Sequence, residues 1–188
     1  MSGLPRFLEK ITALLERSGI PYMITGSMGS VYHGEPRSSR DVDIVIAATR
    51  DSLDTFALLA HMDFYVSLEE MRNALENASL FNAVDLETGW KADLIIRKER
   101  PFSQGEFERR VPVDLHGFRL FVVSPEDAIL SKLEWARETR SELQVRDALG
   151  VAIVQRGRLD LDYLRHWAAE LGVSESLETI LRKAEATA

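Results

Sequence analysis

Two aspartates separated by one apolar residue, Asp41-Val42-Asp43, constrain this chain more than any other feature. They open the run Asp41 to Ile46, in which Val42, Ile44 and Ile46 recur at every second position. A period of two is that of a strand with one face buried. Asp41 and Asp43 therefore project side by side from the other face. Carboxylates so placed repel each other unless positive charge sits between them, and a hard cation with oxygen ligands such as Mg²⁺ supplies it. Upstream, the apolar strand Tyr22 to Thr25 breaks at Gly26-Ser27 and runs into a short helical segment, Met28 to His33. A turn follows at Gly34-Glu35-Pro36. A strand that passes through Gly-Ser into a helix offers backbone N–H groups and a positive dipole end to an anion. The stretch thus pairs a phosphate cradle at Gly26 and Ser27 with a metal site at Asp41 and Asp43.

A third carboxylate is available downstream. Two strand-like runs, Ser79 to Leu86 and Trp90 to Arg97, flank the turn Glu87-Thr88-Gly89 and read as a β-hairpin. Asp93 interrupts an otherwise apolar strand, and an acid there needs a reason. Asp85 on the partner strand competes with it; it is expected to be exposed on the hairpin.

This order of motifs resembles the nucleotidyltransferase superfamily named after DNA polymerase β. That family carries Gly-Ser after a strand, Asp-x-Asp on the next strand and a third carboxylate on a later one. The run Arg37-Ser38-Ser39-Arg40-Asp41-Val42-Asp43 resembles the Arg-x-Thr-x-Asp-x-Asp form of a bacterial branch that includes AbiEii-type toxins, with Ser39 in place of Thr. The resemblance implies an α/β (α+β) fold, a short mixed sheet flanked by helices, with a C-terminal helical part. It implies transfer of a nucleoside monophosphate from an NTP to a hydroxyl, with Mg²⁺ or Mn²⁺ held by Asp41, Asp43 and Asp93. Asp93 falls where the family's third carboxylate stands and would also serve as general base. The Ser27 hydroxyl would meet a β- or γ-phosphate oxygen. Arg37 and Arg40 would contact the triphosphate or pair with Asp41. Lys132, in Ser131-Lys132-Leu133-Glu134-Trp135, would reach the triphosphate, and Asp147, in Gln144-Val145-Arg146-Asp147, would lie near the site. An RNA end, a protein side chain and a small molecule all stay open as acceptor. A cognate antitoxin is a possible partner. The alternative is a non-catalytic nucleotide-binding or antitoxin-like module of the same fold.

Composition narrows the classes further. At 188 residues the chain fits one core plus a helical extension. Cys is absent, which excludes disulfides, thiolate zinc sites and cysteine nucleophiles. A net charge of −7 argues against broad, sequence-blind nucleic-acid binding. The start lacks signal-peptide character, and no apolar run is long enough to span a bilayer. A cytoplasmic protein is expected.

The remaining elements are expected in this order. Leu4 to Ser18 is an amphipathic helix ended by Gly19, and Leu53 to Met62 and Leu68 to Glu76 are helices. Arg100 to Arg110 reads as a loop or short exposed helix and, with Arg97 and Lys98, forms the notable basic concentration. Val111 to Leu115 and Phe118 to Val123 form a second hairpin. From Ser124-Pro125 onward only helices are expected, so residues 1–123 form a nucleotidyltransferase-like core and 124–188 a helical region packed on it. The four histidines lack metal-ligand spacing, and Asp160 reads as a helix cap. Trp90, Trp135 and Trp167 are expected in the core or at an interface.

Overall fold

A computed structural model describes residues 3–34, 41–115 and 117–187. The expectations for Arg37, Arg40 and His116 lie outside the described residues. The chain forms two compact units: one takes in the described residues within 1–24 and 39–122, the other those within 25–38 and 123–188.

The first unit is a sheet with helices. Its helices are α1 (Leu4–Arg17), α3 (Arg50–Ala60), α4 (Leu68–Asn77) and α5 (Pro101–Glu108). Its strands are β1 (Tyr22–Ile24), β2 (Asp41–Ile46), β3 (Phe64–Tyr65), β4 (Leu80–Asp85), β5 (Lys91–Ile96), β6 (Val111–Leu115) and β7 (Phe118–Val122). They make one seven-stranded mixed sheet in the order β3-β4-β5-β2-β1-β7-β6. The central pair, β2 and β5, is parallel, and its register sets Asp41 opposite Lys91 and Asp43 opposite Asp93. The hairpin β4–β5 turns through Gly89, whose φ of 72° suits a residue without Cβ.

Alternation decides the faces. Val42, Ile44, Ile46, Ala92, Leu94, Phe81 and Ala83 all point to the buried side. There the Phe56 ring of α3 meets Phe81 edge-on at 6.2 Å, and Phe7 of α1 stacks on Trp90 at 6.0 Å. Phe7, Phe56 and Phe81 are fully buried, and each contributes about 1.5–3 kcal/mol. α1 starts after Gly3 with Pro5 in its first turn, as its sequence suggests.

Two expectations are corrected in this unit. Asp85 is not exposed: it is 1% exposed, on the packed face, because Lys10 of α1 and the Thr88 hydroxyl both donate to it. The stretch Arg100 to Arg110 is neither a loop nor a wholly exposed helix. α5 buries Phe102 and Phe107, and the guanidinium groups of Arg100 and Arg110 lie over those rings at 5.4 and 4.5 Å. Arg97 pairs with Glu99 at 2.6 Å. The basic concentration is therefore partly consumed by aromatic stacking.

The second unit is helical: α2 (Gly26–His33), α6 (Pro125–Thr139), α7 (Glu142–Val154), α8 (Leu161–Glu170) and α9 (Ser174–Ala186). Ser124 caps α6 by accepting from the Asp127 N–H at 3.1 Å. Asp127 is wholly buried and accepts hydroxyls from Ser124 and from Tyr163, each at 2.6 Å, which ties α6 to α8. Asp160 caps α8, as expected, by accepting from the Tyr163 N–H. Trp135 departs from expectation: it is 54% exposed, on the outer side of α6. Among the described residues, no helix is long and apolar enough to cross a membrane.

Candidate functional site

The first unit gathers acids on the face of the sheet opposite its packed side. The strand period places Asp41 and Asp43 there, and the parallel register places Lys91 and Asp93 beside them. Antiparallel pairing adds Asn82 of β4 directly opposite Asp93. Asp93 thus shares the face of Asp41 and Asp43, whereas Asp85 lies on the other.

Hydrogen bonds fix this row. Asn82 Nδ2 donates to Asp93 Oδ1 at 2.7 Å, and Lys91 Nζ reaches the same oxygen at 3.0 Å. Lys91 Nζ also lies 3.8 Å from Asp41 Oδ1. The bond to Asp93 holds the Lys91 ammonium above its ordinary pKa against partial burial, and the charges of Asp93, Asp41 and Asp43 add to it. Asp41 is the most exposed of the three acids, its side chain 55% accessible against 20% for Asp93.

In kind, this donor set suits a hard divalent cation: carboxylate oxygens, two strands, one face. As placed, it does not close on one. Among the described residues, no three His, Asp or Glu side chains stand close enough together to hold a metal ion. The Lys91 ammonium sits among these acids. Lys91 and Asn82 are the two residues of the row to which the sequence reading assigned no role. The signal was present for Lys91, which precedes Asp93 by two and so must share its face.

The second unit holds the other expected residues. α2 follows directly on Thr25, and Gly26 has a φ of 60°, in the left-handed region where a Cβ is strained. The backbone therefore calls for glycine at this strand-to-helix turn. Ser27 is buried at 7% exposure. Further along α2, the buried His33 ring lies 2.6 Å from the Val123 carbonyl through Nε2, and Gln155 donates to the His33 carbonyl at 2.9 Å. Burial pushes the His33 pKa down, partly opposed by the Val123 bond and the charge of Glu126. Lys132 of α6 and Asp147 of α7 are brought together, Nζ to Oδ2 at 3.0 Å, with side chains only 9% and 10% exposed. The pair is thus a buried ion pair between helices, where a lysine on an amphipathic helix would ordinarily be solvated.

No family model matches the sequence, and no curated protein matches it. Solved structures do match the fold. A lincosamide antibiotic adenylyltransferase, LnuA, solved with lincomycin, aligns at TM-score 0.52 and 17% identity, over 80% of this chain and 98% of that one. The enzyme ANT(2")-Ia, solved with adenylyl-2"-tobramycin, aligns at 0.54 and 15% identity, over 97% of each chain. An antigenic nucleotidyltransferase-like protein from Paracoccidioides brasiliensis aligns at 0.55 and 15% identity, over 92% of this chain and 88% of that one. The chain has the fold of these proteins: a mixed sheet with flanking helices and further helices toward the C-terminus, as the resemblance implied.

Proposed function

We propose that this protein transfers a nucleoside monophosphate from a nucleoside triphosphate to a hydroxyl acceptor, with a divalent cation held by Asp41, Asp43 and Asp93. The observation that carries the reading is the row of acids itself: three carboxylates on one face of two paired strands, in a fold shared with adenylyltransferases. A bound Mg²⁺ or Mn²⁺ would neutralise triphosphate charge and lower the pKa of the acceptor hydroxyl. The chain's own part is positioning and proton transfer. Asn82 holds Asp93 by Oδ1. Asp93 takes the proton of the acceptor hydroxyl as it attacks. The acceptor oxygen bonds to the α-phosphorus, the bond from that phosphorus to the bridging oxygen breaks, and pyrophosphate leaves.

The other roles rest on the sequence pattern. Gly26 and Ser27 are proposed to hold phosphate oxygens through backbone amides and hydroxyl. Arg37 and Arg40 are proposed to contact the triphosphate. Lys132 would reach it only by opening its pair with Asp147, so its first role is to neutralise that buried acid. A small hydroxylated acceptor is favoured over RNA. The two adenylyltransferases above were solved with an antibiotic or its adenylyl product, and the net charge of −7 opposes a nucleic-acid partner. A triphosphate donor places the work in the cytoplasm.

One observation favours the second reading, a nucleotide-binding or antitoxin-like module without turnover: an ammonium already stands among the acids. Labelling separates the two. The protein is incubated with Mg²⁺ or Mn²⁺ and each α-³²P-labelled NTP, with total RNA, with the protein alone, or with aminoglycosides and lincosamides. Label on a small molecule that vanishes in the Asp41→Asn/Asp43→Asn double variant is the expected result. Binding of NTP without label on any acceptor overturns the enzyme reading in favour of the second.

A further inference from the structure

We propose that Lys91 is the built-in counter-cation of the acid row: it holds Asp41 and Asp93 in the metal-free protein and competes with the divalent ion for them. This inference rests on the metal-site reading above and goes beyond it, because it assigns a role to a residue that is not a ligand.

Position comes first. Lys91 is the register partner of Asp41, and Asp93 is the register partner of Asp43, so the ammonium rises inside the row. Its distances, 3.0 Å to Asp93 and 3.8 Å to Asp41, make one cation shared by two acids from different strands. Charge gives the second reason. Three acids on one sheet face repel one another, and the Lys91 ammonium offsets part of that. Chemistry gives the third. Mg²⁺ requires near-octahedral oxygen ligands at about 2.0–2.1 Å. An ammonium cannot share those positions, so entry of the ion and departure of Lys91 are coupled. Asp93 is suited to the exchange. Both Asn82 and Lys91 donate to its Oδ1, so Asn82 can keep the carboxylate in place as Lys91 leaves, and among the described residues Oδ2 takes no side-chain hydrogen bond.

The test is binding of Mn²⁺ to the full chain, followed by the electron paramagnetic resonance of the free ion at fixed pH and salt. Displacing an ammonium that is paired with two acids within about 4 Å lowers affinity for the incoming ion by roughly tenfold or more even at the dielectric of water, a loss the neutral variant escapes. Lys91→Met is expected to bind Mn²⁺ at least about tenfold tighter than wild type, and Lys91→Arg to bind like wild type. Lys98→Met makes the same change in net charge at an exposed position and is expected to stay within about twofold, because screening weakens distant charge. Melting temperature gives an independent readout: Lys91→Met melts lower than wild type without metal and gains more on Mn²⁺ addition. Lys91→Gln serves in its place if Lys91→Met does not fold. Equal or weaker Mn²⁺ binding by the neutral variant, with wild type binding normally, overturns the inference alone. Absence of Mn²⁺ binding by both folded proteins overturns the metal-site reading, and the inference with it.

Discussion

One β-hairpin carries two lysine–aspartate pairs, on opposite faces. On the packed face, Asp85 is buried beneath α1 and joined by Lys10 and Thr88. On the other face, Asp93 meets Lys91 and Asn82 with Asp41 and Asp43 alongside. The residue types match; the burial does not, for the Asp85 side chain is wholly covered and that of Asp93 is 20% exposed. Asp85 has the ammonium of Lys10, with Asp63 and Glu87 at the longer distances of 4.0 and 3.6 Å, and the outcome is a closed pair that anchors a helix to a sheet. Asp93 stands beside Asp41 and Asp43 on the face opposite the packed one, and its pair with Lys91 is only partly covered. A buried pair of this kind costs stability when broken. A partly exposed pair contributes little to stability and can be spent on function. The same pairing of lysine with aspartate thus serves architecture on one face and, on our reading, catalysis on the other.

The widest separation between the two faces is expected in activity. Asp93→Asn should lower nucleotidyl transfer by about 10²–10⁴-fold, in the range of removing a group that moves a proton. Urea denaturation of the same variant should give a stability within about 1 kcal/mol of wild type, because the pair is partly exposed and the amide keeps the shape of the carboxylate. A stability loss as large as that on the packed face would break the comparison. On that face, Lys10→Met leaves Asp85 buried without its cation and should cost about 2–4 kcal/mol in the same titration, less than a wholly buried pair because the Lys10 side chain is 21% exposed.

Acid should act on the packed face next. Burial alone would raise the Asp85 carboxyl, but the bonds from Lys10 and Thr88 and the Lys10 charge outweigh it and hold the pKa below the usual carboxylate value. The folded state therefore favours the ionised form. Its stabilisation is complete above the unfolded carboxylate pKa and is lost as pH falls through the lower folded value. Denaturation midpoints of wild type should fall across that acid window, and those of Asp85→Asn should fall less steeply. The smallest expected effect sharpens the open face: Asn82→Ala removes one donor to Asp93 and should cost about 0.5–1.5 kcal/mol. A smaller drop in transfer than for Asp93→Asn should accompany it, since the carboxylate stays but is less well held.

How much of this was legible varies with sequence distance. The alternation in Asp41 to Ile46 specified a strand and its polar face, and the turn at Gly89 specified the hairpin. Asp85 and Asp93 looked alike, because both alternate with apolar neighbours. The partner that Asp85 meets under α1 is Lys10, 75 residues away, and no local pattern carries that. The Lys132–Asp147 pair was expected as two site residues, but not as a buried bond between helices, because helical spacing says which residues share a stripe and not what faces it. In α5, Pro101 and Gly105 suggested a loop, while Phe102 and Phe107 supplied the apolar contacts that make a helix worthwhile. The strand-to-helix break at Gly26 was legible, and the positive φ there requires a glycine.

The most direct measurement is a crystal structure of the protein soaked with Mn²⁺ and a non-hydrolysable NTP, read by anomalous scattering from manganese. The account predicts an anomalous peak bounded by carboxylate oxygens of Asp41, Asp43 and Asp93, with the Lys91 ammonium turned away from Asp93. Manganese bound elsewhere, or no peak while Lys91 still bridges Asp41 and Asp93, would contradict it.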